Sequence, residues 1–181
     1  MIDIVSLGEL LVDFAPAGER TYQANAGGAP ANVLAAAARL GKKAACITMV
    51  GQDDFGDMLV KDLAAAGVDT SAIRRTKDAC TTLAFVSLDA QGDRSFTFVR
   101  RPGADMLLSV NDVDFSLIES AKIFGFGSVS MTDEPSRSAT LEAAKFAKEH
   151  GVTTAYDPNL RPLLWKNLEE AKKVMSEGLR Y

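Results

Sequence analysis

The sequence predicts an α/β fold: a doubly wound, mainly parallel sheet with helices on both faces and a small β insertion. Three observations predict it. Short apolar runs alternate with helical patterns along 181 residues, the rhythm of βα units. Glycine and acidic or amide residues close those apolar runs, where open α/β sheets bind ligands. One stretch, 81–100, breaks the rhythm with two β-rich runs.

Ile2 to Leu7 is a short, mostly apolar strand. Gly27-Gly28-Ala29-Pro30-Ala31-Asn32 follows. Its two glycines let the backbone turn sharply and approach a ligand. Pro30 suits the first turn of a helix over 30–40, and Asn32 offers an amide within that turn. The run from Val33 to Leu40 is strongly helix-forming, and Gly41 reads as its stop. Such a helix start is built to hold something polar or anionic. A plain glycine turn before a buried helix is the competing reading.

Ala44 to Val50 reads as a buried strand. Phe55 to Ala66 reads as an amphipathic helix with Met58, Leu59, Leu63 and Ala66 on one face. Thr81 to Leu88 and Arg94 to Arg100 flank Asp89-Ala90-Gln91-Gly92 as a hairpin. Phe96 and Phe98 fall on one side of it, and Ser95, Thr97 and Val99 on the other. The hairpin reads equally as decoration or as a lid whose aromatic face covers a pocket. Lys122 to Phe126 is a strand. Glu134 to Glu149 is a helix with Leu141, Ala144 and Ala147 inward. Val152 to Tyr156 is a strand, and Leu168 to Gly178 a final helix.

Composition narrows the function. The length suits one substantial domain. Twenty basic against 24 acidic residues give a net charge of -4. With no basic tract, nucleic acid is not an expected partner. No apolar run is long enough to span a bilayer. The start, Met1-Ile2-Asp3-Ile4, lacks the basic region of a signal peptide. Cys46 and Cys80 show no motif spacing, and Cys46 lies in an apolar run. A reducing cytoplasm is the expected location. His150, the one histidine, precedes Gly151 at a helix end, where it complements the helix dipole. That argues against a histidine metal site or a Ser-His-Asp triad.

The strand ends carry the chemistry. The first apolar strand ends in Gly8-Glu9, with Asp13 soon after. The next ends in Gly51-Gln52-Asp53-Asp54, where Asp53 or Asp54 also reads as a helix cap. Another ends in Gly125-Phe126-Gly127-Ser128, without the third glycine of a dinucleotide fingerprint. The last ends in Asp157-Pro158-Asn159-Leu160-Arg161, where Asp157 and Arg161 also read as a structural ion pair. A carboxylate such as Asp13 accepts from two hydroxyls, and an amide such as Asn32 donates and accepts. The fixed fork of Arg161 suits a carboxylate or phosphate. Hydroxyl readers beside such an arginine point to phosphoryl transfer to a polyol, chemistry that rests on positioning and charge stabilisation.

Six stretches then carry a resemblance. They are Gly8-Glu9-Leu10-Leu11-Val12-Asp13-Phe14, Gly27 to Asn32, Val50-Gly51-Gln52-Asp53-Asp54-Phe55-Gly56, Arg101 to Leu108, Gly127-Ser128, and Asp157 to Pro162. In this order the chain resembles the ribokinase-like sugar kinases, the PfkB group, and within it the fructokinases. The resemblance covers essentially the whole chain. It implies a ribokinase-like fold with lid segments near 9–26 and 72–104. Asp13 would bind sugar hydroxyls, and Gly27, Gly28 and Asn32 would hold the sugar at the helix start. Phe96 and Phe98 would face the sugar from the lid, with Arg100 at its rim. Arg161 would approach the transferred phosphate or the sugar, and Asn159 with Arg161 would meet the nucleotide. The implied reaction is phosphorylation of D-fructose to fructose 6-phosphate by ATP with Mg2+, in a homodimer joined through the lid.

The sequence also departs from the family's pattern. Family members are longer, and their remaining segment carries a Gly-x-Gly-Asp type motif with the catalytic base. The Gly-x-Gly-Asp motif does not occur here, and the magnesium-linked Asn-x-x-Glu type motif is expected to lie in the same remaining segment; the spacing Asn167-Leu168-Glu169-Glu170 opens the final helix. The later strands and nucleotide-binding part are therefore expected to be missing. The 181 residues would form the sugar-binding portion of a kinase, inactive and aggregation-prone in isolation. Other readings stand beside this one: a 2-keto-3-deoxygluconate kinase with Arg100 on the substrate carboxylate, a ribokinase or adenosine-type kinase, a non-catalytic sugar-binding protein, and a dehydrogenase using Gly125-Phe126-Gly127.

Overall fold

The computed structural model describes residues 1–88 and 94–181. The hairpin turn expected at Asp89-Ala90-Gln91-Gly92 lies outside the described residues. In chain order the strands are β1 (Ile2–Leu7), β2 (Leu11–Gly18), β3 (Thr21–Gly27), β4 (Ala44–Gly51), β5 (Val68–Asp69), β6 (Ile73–Thr76), β7 (Leu83–Leu88), β8 (Arg94–Val99), β9 (Ala121–Gly127) and β10 (Thr153–Asp157). The α-helices are α1 (Ala29–Arg39), α2 (Asp54–Ala65), α3 (Phe115–Glu119), α4 (Ser136–Glu149) and α5 (Leu168–Gly178).

The larger sheet runs β10-β9-β1-β4-β5, and β6 pairs with the second half of β4. Every pairing in it is parallel. The register aligns Val5 with Ala45 on one side and Phe124 on the other. Because side chains alternate along a strand, this alignment sorts the core into two layers. Val5, Leu7, Ile47, Phe124 and Phe126 pack with Ala139, Ala143 and Ala144 of α4. Ala44, Cys46 and Val50 pack with Leu34 of α1 and Leu59 and Leu63 of α2. Each fully buried Leu, Ile or Phe contributes roughly 1.5–3 kcal/mol, so this register is strongly specified. All eight residues of β4 are buried, as a central strand covered on both faces requires.

Local chemistry sets the helix starts. Asp53 caps α2, its Oδ1 accepting from Gly56 N at 2.8 Å. Its Oδ2 also accepts from Thr81 N at 2.8 Å. Burial works to raise the Asp53 pKa, but these hydrogen bonds hold it below the ordinary value. Asn167 caps α5 by accepting from Glu170 N. His150 ends α4 as expected, with its ring stacked on Phe146.

The smaller sheet has the order β3-β2-β7-β8. Two antiparallel pairs, β2–β3 and β7–β8, join through a parallel β2–β7 pairing. One face rests on α2 through Phe14, which stacks on Phe85 and meets Phe55 edge-on. The opposite face carries Asp13, Ala84 and Phe98 in one row across three strands. The expected segment 72–104 needs one correction: β6 lies within it yet pairs with β4 of the larger sheet. Its Ile73 packs against the α2-side core, which keeps it there.

Candidate functional site

The site lies at the carboxyl ends of β1, β9 and β10, where the smaller sheet overhangs the start of α1. Glu9, Asp13, Gly28, Asn32, Phe96, Phe98, Asn159 and Arg161 line one cavity of about 150 Å³. That is below the roughly 300–1,000 Å³ of drug-sized ligand sites, so it suits a small molecule. Eight residues from four separate stretches of sequence thus meet in one place.

Two glycines make the geometry fit. A Cβ on Gly27 would collide with the Asp13 carboxylate, so this glycine gives the carboxylate its space. Gly28 sits at φ 108, and a Cβ there would strike the Glu9 carbonyl oxygen. Asp13 is half-buried, which raises its pKa, while the nearby charge of Arg161 acts to lower it. Asn32 projects from the exposed side of α1's first turn, its N–H closing that turn on Gly28 O at 3.0 Å. Phe96 and Phe98 are partly buried and stacked, with ring centroids 6.0 Å apart.

Asp157 and Arg161 do not form the ion pair that their spacing suggested. Asp157 Oδ1 accepts from Asn159 N at 3.1 Å. The Arg161 guanidinium has no carboxylate within salt-bridge distance among the described residues, and its Nη1 lies 3.4 Å from Leu160 O. Asn159 is the one non-glycine residue at positive φ (35) among those described. Strained backbone of this kind persists where surrounding structure enforces it, commonly at ligand sites.

Arg100 is not at a rim. It is only 5% exposed, and its guanidinium is already used. Nε and Nη2 meet Asp105 at 2.9 and 2.7 Å, Nη1 donates to Thr132 Oγ1 at 2.8 Å, and Nη2 to Val129 O at 3.1 Å. The buried charge of Asp105 draws it inward, since an unpaired buried carboxylate is far costlier than a paired one. Thr82 Oγ1 donates to the same Asp105.

Glu9, which the sequence marks only as a strand-end acid without a role, is part of this site. It is 5% exposed, and its Oε1 accepts from Ala29 N at 3.0 Å. Burial pushes its pKa up to about 7, against the lowering effect of that hydrogen bond. The signal was an acid directly followed by Leu10-Leu11-Val12, all buried. The helix start expected to hold an external anion thus holds an acid of its own chain. Glu9, Ala29 and Asn159 also border an adjoining, mostly apolar cavity of about 180 Å³ against Gly125 and Ala155.

Gly125 and Gly127 are strand residues inside β9. They do not form the strand-to-helix turn that a dinucleotide fingerprint requires. Among the described residues no group of three or more His, Cys, Asp or Glu is placed to hold a metal ion. No helix among them is long and apolar enough to cross a membrane.

A doubly wound sheet whose strand ends and overhanging second sheet enclose a small polar cavity defines a small-ligand domain of the sugar-kinase type. The chain belongs to the pfkB family of carbohydrate kinases, whose family model matches residues 1–181. It is 48% identical over 179 residues to a fructokinase of Solanum tuberosum, covering 95% of this chain and 56% of that one. A crystal structure of fructokinase with bound ATP from Xylella fastidiosa superposes with a TM-score of 0.92 at 42% identity, over 98% of this chain and 55% of that one. A fructokinase double mutant from Vibrio cholerae O395, in fructose, ADP and potassium ion bound form, gives 0.87 at 33% identity, over 98% and 57%. The chain spans just over half the length of the relatives it matches.

Proposed function

We propose that this chain is the sugar-binding part of an ATP-dependent kinase that converts D-fructose to fructose 6-phosphate. One observation carries the reading: a carboxylate, an amide and a guanidinium with no carboxylate partner converge in one small cavity beneath two phenylalanines. Asp13 accepts hydrogen bonds from sugar hydroxyls, and Asn32 donates and accepts beside it. The backbone at Gly27 and Gly28 lets the sugar lie close to α1. Phe96 and Phe98 form the inner face of a lid that keeps water, a competing phosphoryl acceptor, from the site. Arg161 stabilises the charge on the transferred phosphoryl group, and Asn159 borders the nucleotide.

The chemistry is divided across a longer protein. The base that removes the hydroxyl proton, and the nucleotide cradle, belong to the part of the family fold beyond these residues. Magnesium would travel with ATP there. The buried Arg100 favours fructose over 2-keto-3-deoxygluconate, because four of its five N–H donors are held by Asp105, Thr132 and Val129 and its charge is paired with Asp105. We further read the smaller sheet as the surface through which two copies associate. A buried Cys46 and an exposed, unbridged Cys80 fit a reducing compartment such as the cytoplasm.

Calorimetry tests this directly. Fructose binds the 181-residue chain, and Asp13→Asn weakens binding about 10–100-fold, the loss expected for a charge-assisted hydrogen bond. Binding of 2-keto-3-deoxygluconate in preference to fructose would overturn the substrate. Fructose-dependent ADP production by the purified chain would overturn the division of labour.

A further inference from the structure

We infer that Glu9 is a positioning residue of the sugar site: its buried carboxyl fixes the Gly27–Ala29 turn from which Gly28 and Asn32 face the cavity. The inference rests on the sugar-binding reading above. Three independent features converge on Glu9. First, α1 has no side-chain cap of its own, because its cap position is Gly28. Its first amide, Ala29 N, donates to Glu9 Oε1 at 3.0 Å, and Pro30 has no N–H to give. Glu9 therefore does from another element what a capping side chain does locally. Second, the Gly28 backbone, at φ 108, lies against the Glu9 main chain so closely that no Cβ fits between them. Side-chain and main-chain contacts hold the turn together. Third, Glu9 borders both the site cavity and the adjoining apolar cavity, so its carboxyl is part of the wall that Asn32 and Asn159 share.

Glu9 also stands on the link between β1 and β2, the strand that carries Asp13. One side chain thus ties the helix that presents Asn32 to the strand that presents Asp13. The charged and titratable groups that act on Glu9 are few. Asp105 raises and Arg100 lowers its pKa beside the dominant effect of burial, and Cys46 lies on the core side. With its pKa near 7, Glu9 changes charge close to neutral pH. The strength of the Ala29 hydrogen bond changes with it, since ionised acceptors bind backbone N–H groups more tightly.

The experiment follows the Ala29 amide by NMR between about pH 5 and about pH 9, in wild type and Glu9→Gln. Fructose affinity is measured alongside for both and for Glu9→Ala. The Ala29 shift should titrate with a midpoint near 7 in wild type and stay flat in Glu9→Gln. Glu9→Ala should weaken fructose binding about tenfold or more, and Glu9→Gln, which keeps an acceptor, should stay within about threefold of wild type. A flat Ala29 profile in wild type overturns the inference, as does unchanged fructose affinity in Glu9→Ala. If Glu9→Ala does not fold, the comparison moves to pH. Wild-type affinity should then tighten as pH rises through neutrality more than Glu9→Gln does, and parallel profiles overturn the inference. If wild type binds no fructose, the sugar reading fails by itself, and the Ala29 titration alone decides whether Glu9 holds the turn.

Discussion

Glu9 and Asp105 are both buried acids, and what meets each one decides its behaviour. Asp105 faces a guanidinium and a hydroxyl. Glu9 is met by backbone amides, chiefly Ala29 N, too little to offset desolvation, so its pKa rises from 4.5 to about 7. A raised carboxyl pKa means that the folded state holds a proton which the unfolded chain has already released. Between about pH 4.5 and about pH 7, stability from this group therefore falls as pH rises, by up to roughly 3 kcal/mol across the window. Urea denaturation at several pH values should show that decline in wild type and a shallower one in Glu9→Gln. Equal slopes would mean that Glu9 is ionised throughout. Asp13, Asn32, Phe96, Phe98, Asn159 and Arg161, all named from the sequence, line the cavity: Asp13, Asn159 and Arg161 follow strand ends, Asn32 opens a helix, and Phe96 and Phe98 share one face of a strand, with the lid role of the two rings implied by the family resemblance. The sequence marked Glu9 as a strand-end acid but gave it no role, because burial is a property of the β1–β2 link and not of the acid itself.

At the scale of elements, Arg100 joins three of them. It follows β8, pairs with Asp105 in the 3-10 turn Ala104–Leu107, and holds Thr132 and Val129 after β9. Val129 borders the site cavity, so this cluster supports its floor. Arg100→Ala would strand the Asp105 charge in the core and should destabilise the fold by about 3–5 kcal/mol. Equilibrium denaturation measures it, and a loss under about 1 kcal/mol would reduce the pair to a surface-like contact. Sequence reasoning placed Arg100 at the rim because strand alternation says which face a residue occupies, not which loop will fold over it. Strands β2 and β3 went unread for a related reason. Pro16 and Gly18 interrupt β2, and β3 is mostly exposed and polar, so neither shows the apolar pattern that revealed β1, β4, β9 and β10.

At the scale of the molecule, one face of the larger sheet is left open. Beside α1, Ile123, Thr153 and Ala155 of β9 and β10 are exposed, Ile123 at 37% and Val33 of α1 at 53%. β10 is also the outermost strand on that side. An apolar face next to a free strand edge is a self-association surface. In sedimentation velocity the chain should associate as its concentration rises, and Ile123→Lys should suppress this with circular dichroism unchanged. Concentration-independent sedimentation of wild type would show the face to be innocuous.

The chain passes between the two sheets four times: after β1 at Gly8 to Leu10, before α1 at Gly28, between β6 and β7, and after β8. Three of these passages are fastened at their roots, by Glu9 to Ala29, by Thr81 to Asp53 and by Arg100 to Asp105. The smaller sheet is thus mounted like a panel on several fixed posts, not like a flap on one hinge. A rotation of the panel would strain all three posts at once, and it would carry Asp13, Phe96 and Phe98 together relative to Asn32 and Arg161, which belong to the larger sheet.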